Sequence, residues 1–204
     1  MPVTELKEKL ASHKERLATH KETRDRWIGV YVGILAMLLA LCSMGGGNAT
    51  KDANRLNIEA NNNWNFFQAK NLRRYGFIIA ADDLELRLKA EQNMPADARK
   101  LIEERAASYR QTIATLNNDP KGKEGLDQLF ERGKALEKER DVMFQKDPYF
   151  DWSQAALQIA IVLASVCLIT GQLWLLVMSL SLAAVGIFMM LDGWTLLLPL
   201  PFIG

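Results

Sequence analysis

The chain has 204 residues, with 25 lysines and arginines against 24 aspartates and glutamates. Near-neutrality removes the basic footprint expected of a nucleic-acid binder. Two cysteines, Cys42 and Cys167, both in apolar runs, rule out a disulfide framework or a cysteine metal motif.

The charges are segregated. Residues 1–26 are dense in them, residues 27–44 carry none, residues 45–150 are charged again, and residues 152–191 carry none. A spanning helix needs about 20 apolar residues to cross roughly 30 Å of hydrocarbon. The first uncharged run suffices for one crossing and the second for two. The expected fold is an all-α membrane protein with three transmembrane helices and a long extramembrane, coiled-coil-like helical hairpin.

Residues 1–26 read as an amphipathic helix. Val3, Leu6, Leu10, His13, Leu17 and His20 recur at alternating spacings of three and four, an a/d seam. Burying it needs a second copy of the chain or the bilayer surface. Nothing breaks this helix before Trp27, and no clean cleavage site follows the apolar run, which reads as an uncleaved anchor.

The first span is residues 27–44. Gly29, Gly33, Ala36, Ala40 and Ser43 form a small-residue stripe that lets helix backbones approach in lipid. Gly45-Gly46-Gly47-Asn48 predicts a break or kink at the membrane exit. The hairpin domain, residues 45–151, follows: a helix over 51–92, a turn at Asn93-Met94-Pro95, a helix over 96–117, a break through Pro120, and a helix over 123–146 ended by Asp147-Pro148. At about 1.5 Å per residue the rising helix is roughly 63 Å long, and the two returning helices together roughly 70 Å, so an antiparallel hairpin brings the chain back to the bilayer.

The second and third spans are residues 152–170 and 173–191, joined by a tight turn at Gly171-Gln172. Ala156, Ala160 and Ala164 on one, and Ser179, Ala183 and Gly186 on the other, suit close packing. Trp152, Trp174 and Trp194 fall near span ends, where interfacial tryptophans belong. Residues 192–204 are an apolar interfacial tail broken by Pro199 and Pro201.

The aromatic segment of the rising helix holds Trp64, Phe66, Phe67, Tyr75 and Phe77. These cannot share one helix face, so the helix is packed on two sides. One side meets the returning arm. The other meets a second subunit or forms a small-molecule pocket. Asn54, Asn57, Asn61, Gln68 and Asn71 follow an a/d-like path that sets register, lines an aqueous axis or faces solvent. Lys70, Arg73 and Arg74 make a basic patch. It either contacts an anion through Lys70 and Arg73 or pairs with Glu124, Glu131 or Glu137 on the returning arm.

Within this segment, Trp64-x-Phe66-Phe67-Gln68-Ala69-Lys70-x-x-Arg73 resembles the signature of an uncharacterised bacterial membrane-protein family, domain of unknown function 4337. The run Leu157-Gln158-Ile159-Ala160-Ile161-Val162-Leu163-Ala164-Ser165 and the helix before the first span resemble the same family. The resemblance implies a bacterial membrane protein with a coiled-coil domain. It supplies no activity and no site residue.

No Walker A loop, G-x-S-x-G, H-E-x-x-H or C-x-x-C occurs, and the spans hold no charge before Asp192. The expectation is a non-enzymatic protein without catalytic residues, metal or cofactor. Its partners are membrane lipid and further copies of itself, through His13, His20, Gly29, Gly33, Trp64, Phe67, Gln68 and Asn71. A homo-oligomeric scaffold is the first functional reading, and an oligomeric channel or transporter-like pore the alternative. Lys14, Arg16, Lys21, Arg24 and Arg26 precede the first span and only Lys51 and Arg55 closely follow it. That bias predicts a multi-pass protein with a cytoplasmic N-terminus and the middle domain across the membrane. With the bacterial origin that the resemblance implies, the membrane is the bacterial inner membrane and the middle domain is periplasmic.

Overall fold

The computed structural model describes residues 3–198, with side chains for residue 19 and residues 21–198. Among the described residues there are four helices and no strand: α1 (Val3–Ala90), α2 (Ala96–Asn117), α3 (Leu126–Thr170) and α4 (Leu173–Thr195). Three of them, α1, α3 and α4, each contain a stretch long and apolar enough to cross a membrane. The chain divides into two units, Met1–Lys51 with Met143–Gly204, and Asp52–Val142. The side chains of the N-terminal seam, Val3, Leu6, Leu10, His13, Leu17 and His20, lie outside the described residues, as does the tail beyond Leu198.

The first unit packs the early part of α1 against the late part of α3 and α4. Leu35, Cys42, Ala49, Phe150, Leu157, Ala160, Ala183 and Met190 form one buried cluster. Ile28, Ala164, Cys167 and Leu175 form another. The small faces of α3 and α4 meet as expected. Ala156, Ala160, Ala164, Ser179, Ala183 and Gly186 are all buried. Their backbones come close enough that Ser153 Oγ donates to the Gly186 carbonyl at 2.7 Å and Ser179 Oγ to the Ala160 carbonyl at 2.6 Å. Because the Ser179 proton is committed to that carbonyl, Tyr31 OH is the donor in the 3.1 Å contact between the two hydroxyls. Gly171, at φ 72°, makes the left-handed turn between α3 and α4 that a side chain would strain.

Two expected helix ends are absent. Gly45-Gly46-Gly47 does not break α1, which runs unbroken to Ala90. Each glycine costs a helix roughly 1 kcal/mol relative to alanine, but two of the three form a seat. A Cβ on Gly45 would stand 2.6 Å from Phe150 Cε1, and one on Gly46 3.0 Å from Phe150 Cβ. Nor does Asp147-Pro148 end α3. Pro148 forfeits one helical hydrogen bond, yet its neighbours are held: Thr50 Oγ1 donates to Asp147 Oδ1 at 2.7 Å, Tyr149 OH donates to the Leu198 carbonyl at 2.9 Å, and Phe150 is 2% exposed. In both places tertiary packing overrides a local break signal.

The cysteines are both free and buried. Cys42 Sγ donates to the Phe150 carbonyl at 3.4 Å, while Cys167 belongs to the other cluster. Seventeen residues of α3 separate Phe150 from Cys167, about 25 Å of helix, far beyond disulfide reach.

The second unit is an antiparallel pairing of α1 beyond Asp52 with α2 and the early part of α3. Contacts descend the returning arm as they climb α1. Asn57 Oδ1 accepts from Arg140 at 3.3 Å, Asn63 meets Leu129, Arg74 meets Asn117, and Asp82 and Glu85 meet Arg110 at 2.5 and 2.8 Å. The Arg110 guanidinium, hydrogen-bonded to Glu85, holds that carboxyl below its ordinary range. Helix α2 falls where the sequence places it, α1 ends at Ala90, two residues before the expected 92, and α3 begins at Leu126, three residues later than expected.

Candidate functional site

The aromatic segment of α1 is built around a glycine on the facing helix. Trp64 lies over Gly133 of α3, where a Cβ would stand 2.7 Å from Trp64 Cζ2 and 2.9 Å from Asn63 Nδ2. With that side chain absent, the indole edge packs at 5.6 Å against Phe67 and 5.7 Å against Phe130, both nearly perpendicular. Its Nε1 donates to Glu137 Oε1 at 2.9 Å. Asn63 is buried and donates to the Leu129 carbonyl at 2.7 Å. One turn-spaced row therefore carries the inner seam: Ala53, Leu56, Ala60, Asn63, Phe67, Arg74 and Ala81, all buried or half-buried.

The asparagine path lies beside this seam and not in it. The buried amide is Asn63, one step off the path through Asn54, Asn57, Asn61, Gln68 and Asn71. Asn54, Asn61 and Gln68 are exposed, and Asn57 and Asn71 are half-buried. The expected pairing of the basic patch with Glu124, Glu131 or Glu137 is corrected. Among the described residues, none of its members pairs with a carboxylate. The Lys70 ammonium donates to the Glu124 carbonyl and lies 5.6 Å from the Phe66 ring centre. Arg73 stacks over Phe77 at 5.9 Å. Arg74 donates to Asn117 Oδ1 at 2.9 Å and stacks over Tyr75 at 5.0 Å. Lys70 and Arg73 thus turn to different partners and share no acceptor.

A cleft of about 390 Å³ opens beside Phe67 and includes Asn71 and Arg74, with Asp127 and Glu131 on its other wall. Two carboxylates facing one guanidinium make a poor anion cradle. Among the described residues no cluster of three His, Cys, Asp or Glu side chains is placed to hold a metal.

Residues 24–196, which include all of this geometry, match the family described as Domain of unknown function (DUF4337). The chain belongs to that family. No curated protein and no solved structure matches it.

In this DUF4337 chain the residues expected at an oligomer interface fall into three groups. Trp64 and Phe67 are spent on the inner seam, against Phe130 and Gly133 of the same chain. Gly29 and Gly33 are exposed, and a Cβ on either would meet nothing within 4 Å. Gln68 is exposed and Asn71 lines the cleft, while His13 and His20 lie outside the described residues. Phe130 and Asn63 were not singled out by sequence. The signal that finds Asn63 is the three-and-four spacing of Ala53, Leu56, Ala60, Asn63 and Phe67 along α1, and no such spacing marks Phe130 on α3.

Proposed function

We propose that this chain is a membrane-anchored scaffold that works by assembling with copies of itself. The observation that carries the reading is a contrast between small-residue faces. The faces of α3 and α4 are consumed by each other, whereas Gly29, Gly33, Ala36, Ala40 and Ser43 on α1 are all exposed. In lipid there is no hydrophobic drive between helices, so close backbone approach at small residues is what holds spans together. An open face of this kind on a helix that already has two intrachain neighbours fits a further copy of α1. The absence of aspartate, glutamate, lysine, arginine and histidine from residues 27–44, 152–170 and 173–191 favours a scaffold over a conducting pathway.

The lysine and arginine bias around the first span supports a cytoplasmic N-terminus with residues 45–151 across the membrane, and the bacterial inner membrane, with those residues in the periplasm, is taken from the family resemblance. Reporter fusions after residue 120 are expected to be active only in the periplasm, and cytoplasmic activity reverses the orientation. Self-assembly is tested by co-expressing two differently tagged copies. In mild detergent each tag is expected to retain the other copy, and full separation of the two overturns the scaffold.

A further inference from the structure

Beyond Asp52, α1 carries a second row of apolar residues on the face away from α2 and α3. Ile58, Leu72, Ile79 and Leu86, with Asn65 between the first two, repeat at intervals of seven. The four aliphatic side chains are 60%, 74%, 69% and 65% exposed. The positions between them, Asn62, Ala69, Gly76, Asp83 and Ala90, are exposed as well. Together they alternate four and three residues apart, which is the geometry of a coiled-coil seam. Scattered surface aliphatics carry no such period. Gly76 adds an independent sign. A helix-interior glycine is destabilising relative to alanine, and a Cβ there would meet nothing within 4 Å. Among the described residues nothing packs on Gly76, and its missing side chain leaves room for close approach of another backbone.

We infer that this outer row is a docking surface for the same row of a second copy, paired in parallel and in register. The inference rests on the self-assembly reading and names the surface by which the extramembrane arms meet. In a parallel pair with Ile58, Asn65, Leu72, Ile79 and Leu86 at d, the a positions are mainly small. The flanking g-to-e contacts would be Asn54 with Glu59, Asn61 with Phe66, Gln68 with Arg73, Tyr75 with Ala80, and Asp82 with Arg87. None is like-charged, and the members of the one opposite pair, Asp82 and Arg87, are each already bonded within the chain, to Arg110 and Asp83. Asn65 supplies one polar layer of the kind that specifies register. Asp83, at an a position, faces its own copy in this register, its charge offset within each chain by Arg87 at 3.0 Å. An antiparallel pair centred on Leu72 instead sets Arg73 against its own copy.

The size of the row selects the occupant. From Ile58 to Ala90 it is roughly 50 Å long, and at a helix width of about 10 Å it offers on the order of 500 Å² per copy. A standard interface between free proteins takes about 800 Å² per partner. A contact this small suits a partner already tethered alongside, whose effective concentration is high. Copies inserted in one membrane with one topology meet that condition and carry this arm in the same sense, whatever the angle between span and arm.

The test uses the full chain in bacterial membranes, with Cys42→Ala and Cys167→Ala as background. Leu72→Cys, Ile79→Cys and, as an exposed control on α2, Ala107→Cys are oxidised in parallel, and native mass is measured on each sample. Cross-linked dimer is expected at both row positions and about tenfold less at the control. Adding Leu72→Glu to Ile79→Cys is expected to lower the yield about tenfold by placing like charges in one layer. An oligomer without row-specific cross-links overturns this surface and leaves self-assembly standing, whereas a monomer overturns both. Cross-linking at Leu72→Cys alone overturns the parallel register, and capture of a different protein by either cysteine overturns the assignment to a second copy.

Discussion

Trp64→Ala lowers the stability of the hairpin arm by about 3 kcal/mol, the lower end of the range for removing a packed tryptophan because the ring is only half-buried. The loss has three parts. The indole gives up two edge-on ring contacts, to Phe67 and Phe130, each worth about 0.5–1.5 kcal/mol beyond area burial. It gives up the bond to Glu137. It also leaves a void over Gly133, whose missing side chain cannot fill it. Gly133→Leu attacks the same contact from the other side. The leucine gains roughly 1 kcal/mol of helix propensity, but its Cβ lands inside van der Waals contact of the indole, so the net effect is destabilising by about 1–3 kcal/mol. The two substitutions share one space. Their double variant is therefore expected to be less damaging than the two effects added, a coupling of neighbours in contact. Denaturant unfolding followed by circular dichroism reads all three. Additive losses contradict the seat of Trp64 on Gly133.

Phe150→Ala costs the helices of the first unit about 3–5 kcal/mol. Its ring is buried, rests on Gly45 and Gly46, and meets Trp194 edge-on at 5.8 Å. Without the ring, the two glycines in α1 and the proline two residues before it lose the packing that offsets their helix-breaking tendency. The damage is therefore expected to include loss of helix around residues 45–50 and 144–150, seen as faster amide exchange there. Gly45→Leu should produce the same local opening, because the ring cannot stay where a Cβ stands 2.6 Å from it. Protection unchanged in both variants contradicts the glycine seat.

Much of the architecture is legible in the sequence because it follows from period and length. The three apolar stretches, the turn at Gly171-Gln172, the helix Ala96–Asn117 and the small faces of α3 and α4 all depend on local pattern. What is not legible depends on a partner far along the chain. Gly45-Gly46-Gly47 reads as a break until Phe150, about a hundred residues later, is seen to occupy it. Asn61, Asn62 and Asn63 are chemically identical in sequence, and only the frame of the returning arm selects Asn63 for burial. Lys70, Arg73 and Arg74 read as partners for an anion or for carboxylates of the returning arm, but within the chain they settle on carbonyl, amide and ring acceptors that no charge pattern marks. That the aromatics divide between faces is legible, with Trp64 and Phe67 on α3 and Phe77 against Tyr109 of α2. The side on which Trp64 and Phe67 fall is set by Gly133 and Phe130, and the outward side belongs to Ile58, Leu72, Ile79 and Leu86.

Native mass measurement of the full chain in mild detergent, across a wide range of protein concentration, tests the central claim most directly. A single oligomeric species that persists on dilution and keeps one stoichiometry is the result expected of a self-assembling membrane scaffold. A chain that stays monomeric at every concentration contradicts it.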